Sequence, residues 1–195
     1  MTFRQGIIEY IKQNATPADK FDHQPRLYAL TRRIGGGLTY DDDVVFAAGW
    51  LHDLGVFMGH RPEDPAELAA WDNVEYACRK TPEVLKGVGF PEAKIHAVVE
   101  AIRTHQPGAN PANFEGILLR DADILEQLGA VAIVRALVKV GRDTRYPTHH
   151  EVIPVLQRAL ENLPGQLRLE KSRQIAQPKI EALEAFLGSL MQEEQ

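Results

Sequence analysis

The chain has 195 residues, a formal net charge of −5, and 44% hydrophobic and 25% charged residues, which excludes disorder as the main state and fits one domain with a sizeable core. That acidic balance gives no support to stable DNA or RNA binding, which needs a cationic surface, and no apolar span is long enough to cross a bilayer. Cys78 is the only cysteine, so an internal disulfide is excluded; with no signal-like start, the expected location is the cytoplasm.

Apolar residues recur with helical spacing almost throughout, and no stretch alternates with a strand's period for long. The first helix is predicted from Phe3 to Asn14, with Thr2 and Gln5 spaced as a capping box and Ile7, Ile8 and Ile11 facing inward. Pro17 is expected to open a second helix carrying His23, Leu27, Leu30 and Ile34, ended by Gly35-Gly36-Gly37. One of Asp41, Asp42 and Asp43 then caps a third, strongly apolar helix that closes on the adjacent pair His52 and Asp53.

A polar loop follows to Pro65. Helices are expected near Ala66–Arg79, Pro82–Lys86 and Pro91–His105, with Pro107, Gly108 and Pro111 breaking the chain again. A long apolar segment from Phe114 to Val140 contains Asp121 and Asp123, and Gly129 marks a bend or a close helix contact. Two further helices span about 149–162 and 167–192, the second kinked or divided by Pro178. The expected architecture is an all-α helical bundle in one domain over residues 1–195, its core at about 17–145 and the C-terminal helices packed on it.

Imidazole and carboxylate are ordinary divalent-metal ligands and costly to bury without a partner. His23, His52, Asp53 and one aspartate of Asp121-Ala122-Asp123 lie on three separate helices, and helical bundles build metal sites from inward side chains of this kind. Two neutral imidazoles with two carboxylates suit one divalent ion of the Mn, Fe, Co, Ni, Zn or Mg kind better than calcium.

In this order, through Leu51-His52-Asp53-Leu54-Gly55 and Leu118-Leu119-Arg120-Asp121-Ala122-Asp123-Ile124-Leu125, the chain resembles the HD superfamily of metal-dependent phosphohydrolases, and among them small stand-alone bacterial HD proteins. Gly89-Phe90-Pro91 and Ala101-Ile102-Arg103-Thr104-His105 are similar to that group's intervening helix pair. The resemblance implies a helical HD domain that hydrolyses a small phosphorylated substrate, such as a nucleotide, with metal-activated water.

It also points to Asp123 as the fourth ligand. A helical wheel places Asp121 instead amid Ile117, Leu118, Leu125 and Leu128, so Asp121 is either a supporting carboxylate or the alternative ligand. Arg26, one turn after His23, is a candidate phosphate clamp. His105 is a candidate proton donor or substrate contact. His60, Arg61, Asn73, Lys139 and Arg142 are weaker candidates for the pocket mouth.

Asn73 stands where relatives often carry a histidine, and Ile124 where they often carry a basic residue. The first departure speaks against a second tightly held metal and against di-iron oxygenase chemistry. The second keeps open a module that binds metal and nucleotide without turnover. The amphipathic C-terminal helix could cover its own core or that of a second copy.

Overall fold

The computed structural model describes residues 1–141 and 146–193. Among these residues the secondary structure is helical, with no strand. The helices are α1 (Phe3–Asn14), α2 (His23–Gly35), α3 (Asp42–Leu51), α4 (Pro65–Ala69), α5 (Asn73–Gly87), α6 (Glu92–Arg103), α7 (Phe114–Glu126), α8 (Gly129–Leu137), α9 (Ile153–Asn162) and α10 (Glu170–Glu193). The chain divides into two compact units, Met1–Arg120 and Asp121–Gln195.

In the first unit the local signals act as their chemistry dictates. The Thr2 hydroxyl accepts from the Gln5 backbone, and the Gln5 side chain returns to the Thr2 N–H at 3.0 Å. Asp41 is the cap of α3, accepting from the backbones of Asp43 and Val44. Every residue of α3 from Val44 to Leu51 is buried, so this helix has no polar face and must be surrounded. It packs against α1, α2 and α6. Each buried Leu, Val or Phe side chain contributes about 1.5–3 kcal/mol relative to exposure.

Two proline signals read differently in three dimensions. Pro82 does not end a helix, because α5 runs through it. The buried face of Ala77, Cys78, Thr81, Val84 and Leu85, against α6, holds the helix together across the missing N–H. The break lies earlier, between Ala69 and Asn73, where the Asp72 carboxylate caps α5 by accepting from Glu75 at 2.8 Å. Pro17 precedes only a short 3-10 turn, and α2 begins at His23.

In the second unit α10 packs on α8 and α9 and continues through Pro178. Gly129 has φ +76°, and a Cβ there would lie 3.0 Å from the Lys179 Cβ. It is both a turn into the left-handed region and a close helix contact. Asp121 is fully buried and accepts from the backbones of Arg168, at 3.1 Å, and Leu169, at 2.9 Å. A carboxylate on an apolar face is stable here because it fixes the two residues that lead into α10. Among the described residues, no helix is long and apolar enough to cross a membrane.

His60 sits inside a network of the first unit. Its Nε2 lies 3.0 Å from the Asn14 Oδ1, and its Nδ1 lies 2.9 Å from the Tyr76 hydroxyl. The Asn14 amide nitrogen already donates to the Tyr10 carbonyl, so Nε2 donates to Asn14 and Nδ1 accepts from Tyr76. Burial, with Lys80 adding to it, lowers the His60 pKa below its ordinary 6.5.

Below pH 6.5 the unfolded chain therefore binds a proton that the folded chain refuses, and stability falls with pH until the lowered native value is passed. Urea unfolding at pH 7.5 and 5.5 should show a smaller loss on acidification for His60→Asn than for the wild type; an equal loss would contradict the assignment. Asp121→Ala leaves the Arg168 and Leu169 N–H groups without this acceptor and should cost roughly 1–3 kcal/mol in the same experiment at neutral pH.

Candidate metal centre

The apolar run of α3 delivers His52 to its C-terminal cap, with Asp53 next in the chain. The His52 Nδ1 lies 2.9 Å from the Gly49 carbonyl. A carbonyl can only accept, so Nδ1 carries the proton and Nε2 of the neutral ring carries the lone pair. His23, first residue of α2, brings its Nε2 to 3.3 Å from that of His52. The Asp53 carboxylate lies 3.7 Å from the His23 Nε2 and 3.6 Å from the His52 Nε2.

These three side chains each offer one ligand atom within 4.8 Å of the others. His23 and His52 are 5% and 1% exposed, and the Asp53 side chain is 22% exposed. The mixed nitrogen and oxygen set is deep on one side and reachable on the other.

The spacing passes a simple test of fit. For metal–nitrogen bonds of about 2.0–2.1 Å, two imidazole nitrogens 3.3 Å apart meet at a common ion at roughly 104–111°, around the tetrahedral angle. The donors are two imidazoles and a carboxylate, which suits a borderline divalent ion. Residues His23, His52 and Asp53 could hold one.

His105 adjoins this group. It is 4% exposed, and its ring centroid is 5.0 Å from that of His52. Its Nδ1 lies 2.6 Å from the Ile102 carbonyl, so Nδ1 carries the proton of the neutral ring.

Behind Asp53 the chain turns through Leu54–Val56, and α5 closes on it. A Cβ on Gly55 would lie 2.6 Å from the Asn73 Cα and nearer still to the Asn73 carbonyl oxygen. Only glycine allows this approach. The Trp71 Nε1 donates to the Gly55 carbonyl at 2.8 Å. The sequence singled out Asn73 for its side chain; what bears on the group is its backbone.

The remaining candidates fall in different places. Arg26 is half-buried on α2, one turn beyond His23. His60 has both ring nitrogens engaged by Asn14 and Tyr76, which makes it part of the scaffold. Arg61 is half-buried after the loop at Met58.

Asp123 lies on α7 in the second unit, its carboxylate accepting from the Gln127 amide at 3.1 Å. Asp121 is spent on the backbone before α10. Lys139 is half-buried just after α8, and Arg142 lies outside the described residues. Cys78 offers no nucleophile: burial pushes its thiol up to about 11.

No protein-family profile matches the chain, and no curated protein matches it. Solved structures do. An HD-superfamily hydrolase from Bacillus thuringiensis is 18% identical, with a TM-score of 0.70 over 98% of this chain and 95% of that one. Bacillus subtilis YpgQ, in complex with ADP, is 20% identical, with a TM-score of 0.71 over 98% of this chain and 94% of that one. A protein described as a predicted HD superfamily hydrolase, from an uncultured Thermotogales bacterium, is 22% identical, with a TM-score of 0.62 over 99% and 91%. The chain shares the all-α fold of these proteins over nearly its whole length.

Glycine at position 55 carries a further expectation. Gly55→Ala forces the Asn73 backbone away and should cost about 1–3 kcal/mol. Calorimetric titration with Mn²⁺ should show weaker binding in that variant than in the wild type, and no binding in His52→Ala.

Proposed function

We propose that this protein is a metal-dependent phosphohydrolase acting on a small phosphorylated substrate of the nucleotide class. The observation that carries the reading is the group of His23, His52 and Asp53, each offering a ligand atom within 4.8 Å of the others. The shared fold with proteins described as HD-superfamily hydrolases supports it. The ADP bound to a neighbour supports the nucleotide class. The sequence-based assignment of Asp123 as fourth ligand belongs to the same reading.

When bound, a divalent cation supplies Lewis acidity and charge neutralisation to phosphoryl transfer. The side chains then have separate tasks. His52, its Nδ1–H held by Gly49, keeps Nε2 aimed as a donor atom with no reorganisation. Asp53 offsets part of the cation's charge, and its partial exposure leaves the substrate side open.

Arg26 clamps phosphate oxygens from the next turn of α2. His105, doubly protonated with its Nδ1–H on the Ile102 carbonyl, gives its Nε2 proton to the oxygen that leaves as the P–O bond breaks, while water bonds to phosphorus and releases a proton to solvent. No nucleophilic serine or cysteine is needed.

A second reading, in which the site binds metal and nucleotide without turnover, draws on Ile124, a fully buried apolar residue where relatives often carry a basic one. One experiment separates the two. A phosphate- and pyrophosphate-release screen over nucleotides and sugar phosphates with Mn²⁺ should find turnover that chelator abolishes. Asp53→Ala should lose several kcal/mol of transition-state stabilisation, roughly 10³-fold in kcat/KM. Tight ligand binding with no product would favour the second reading, and full activity in Asp53→Ala would remove the first.

A further inference from the structure

Trp71 and Tyr76 form an aromatic pair at the start of α5, with ring centroids 5.2 Å apart and planes inclined at 44°. Both rings are half-buried. Their polar atoms are already engaged by the protein: the Trp71 Nε1–H by the Gly55 carbonyl at 2.8 Å, and the Tyr76 hydroxyl by His60 at 2.9 Å. These two hydrogen bonds hold the pair from two sides, and the His60 ring packs edge-on against Tyr76 with centroids 5.6 Å apart. The Arg79 guanidinium, itself exposed, sits 5.6 Å from the Tyr76 ring centroid.

The pair lies close to the metal-ligand group along a short, fixed path. Trp71 is bonded to Gly55, and Gly55 is two residues beyond Asp53 in a tight turn closed by the Val56 N–H to the Asp53 carbonyl at 3.0 Å. Such a turn separates Asp53 and Gly55 by less than the roughly 7 Å of two extended residues.

We infer that Trp71 and Tyr76, with Arg79 beside them, are a stacking shelf for the base of a nucleotide whose phosphate lies at His23, His52 and Asp53. The inference rests on the phosphohydrolase reading and deepens it. A base needs a flat, rigid, apolar plane with a cation near it, and stacking on such a plane tolerates any base because every base has a π-face. A sugar phosphate has nothing to place there. Rings already fixed by Gly55 and His60 lose little freedom on binding, so the contact is preorganised.

Calorimetric titration with AMP and with ribose 5-phosphate, both with Mn²⁺, tests this, since the two ligands differ only in the base. Trp71→Leu should weaken AMP binding about five- to hundredfold, the range of base stacking on one aromatic ring, and leave ribose 5-phosphate unchanged. Trp71→Phe keeps a ring but drops the bond to Gly55, and should retain most of the AMP affinity.

Arg79→Ala, at an exposed position, should weaken AMP alone by about two- to fivefold. Equal losses for both ligands, or none for either, would overturn the shelf and leave only a packing role for Trp71. Wild-type protein that binds ribose 5-phosphate as tightly as AMP would overturn it too, with the phosphate site intact. Wild-type protein that binds neither would overturn the phosphohydrolase reading and this inference with it.

Discussion

The hydrogen bond from the His52 Nδ1 to the Gly49 carbonyl is the constraint on which the candidate site depends. The last carbonyls of a helix have no partner within it. A histidine placed just past the end can reach back three residues and take one of them. Doing so fixes the tautomer and the ring plane together, and leaves Nε2 as the aimed atom. The same device recurs at the end of α6, where the His105 Nδ1 takes the Ile102 carbonyl. Two helix ends thus present two imidazoles side by side, each oriented by backbone of its own helix.

That orientation is useful only if α3 itself is fixed, and its opposite end shows how. Arg4 from α1 reaches Asp42 and Asp43 at 2.8 and 2.6 Å, and Lys94 from α6 reaches Asp41 and Asp43 at 2.8 and 3.2 Å. Glu115 accepts from the Asp41 N–H at 2.8 Å. Tyr28 from α2 joins through Asp42. Exposed pairs of this kind contribute about 0–1 kcal/mol each, so their value here is geometric. They set where four neighbouring helices grip the start of a helix whose apolar sides would otherwise let it slide.

Much of this was legible in the residues. Thr2 with Gln5 and Asp41 before an apolar run are local signals that need no tertiary help, and both caps formed. The pairing of His52 with Asp53 at a helix end, and His23 one hairpin earlier, marked the cluster. What escaped was tertiary in origin. Pro82 looked like a break, and Pro178 like a kink or a break, because a missing N–H is a local cost, whereas the buried faces that outweigh it exist only after packing. Asp121 was conspicuous on an apolar face, but nothing in the order of residues could say that its oxygens would serve the backbone at Arg168 and Leu169. Gly55 carried the one signal that could have been used: a glycine two residues beyond the candidate ligand pair, where a neighbour's backbone must come close.

Helix polarity adds a last term to the electrostatics of the first unit. His52 and His105 stand at or just past the C-terminal ends of α3 and α6, where the macrodipole is negative, while His23 opens the N-terminal end of α2, where it is positive. Each end is worth about 0.3–1 kcal/mol toward a charge of the matching sign. Two negative ends around His52 and His105 favour a cation among the imidazoles. A positive end at His23, with Arg26 one turn along the same helix, favours an anion on the neighbouring side. An arrangement that attracts both signs at adjacent points suits a phosphate paired with a divalent ion better than it suits a metal held for structure alone, because a purely structural ion gains nothing from an anion beside it.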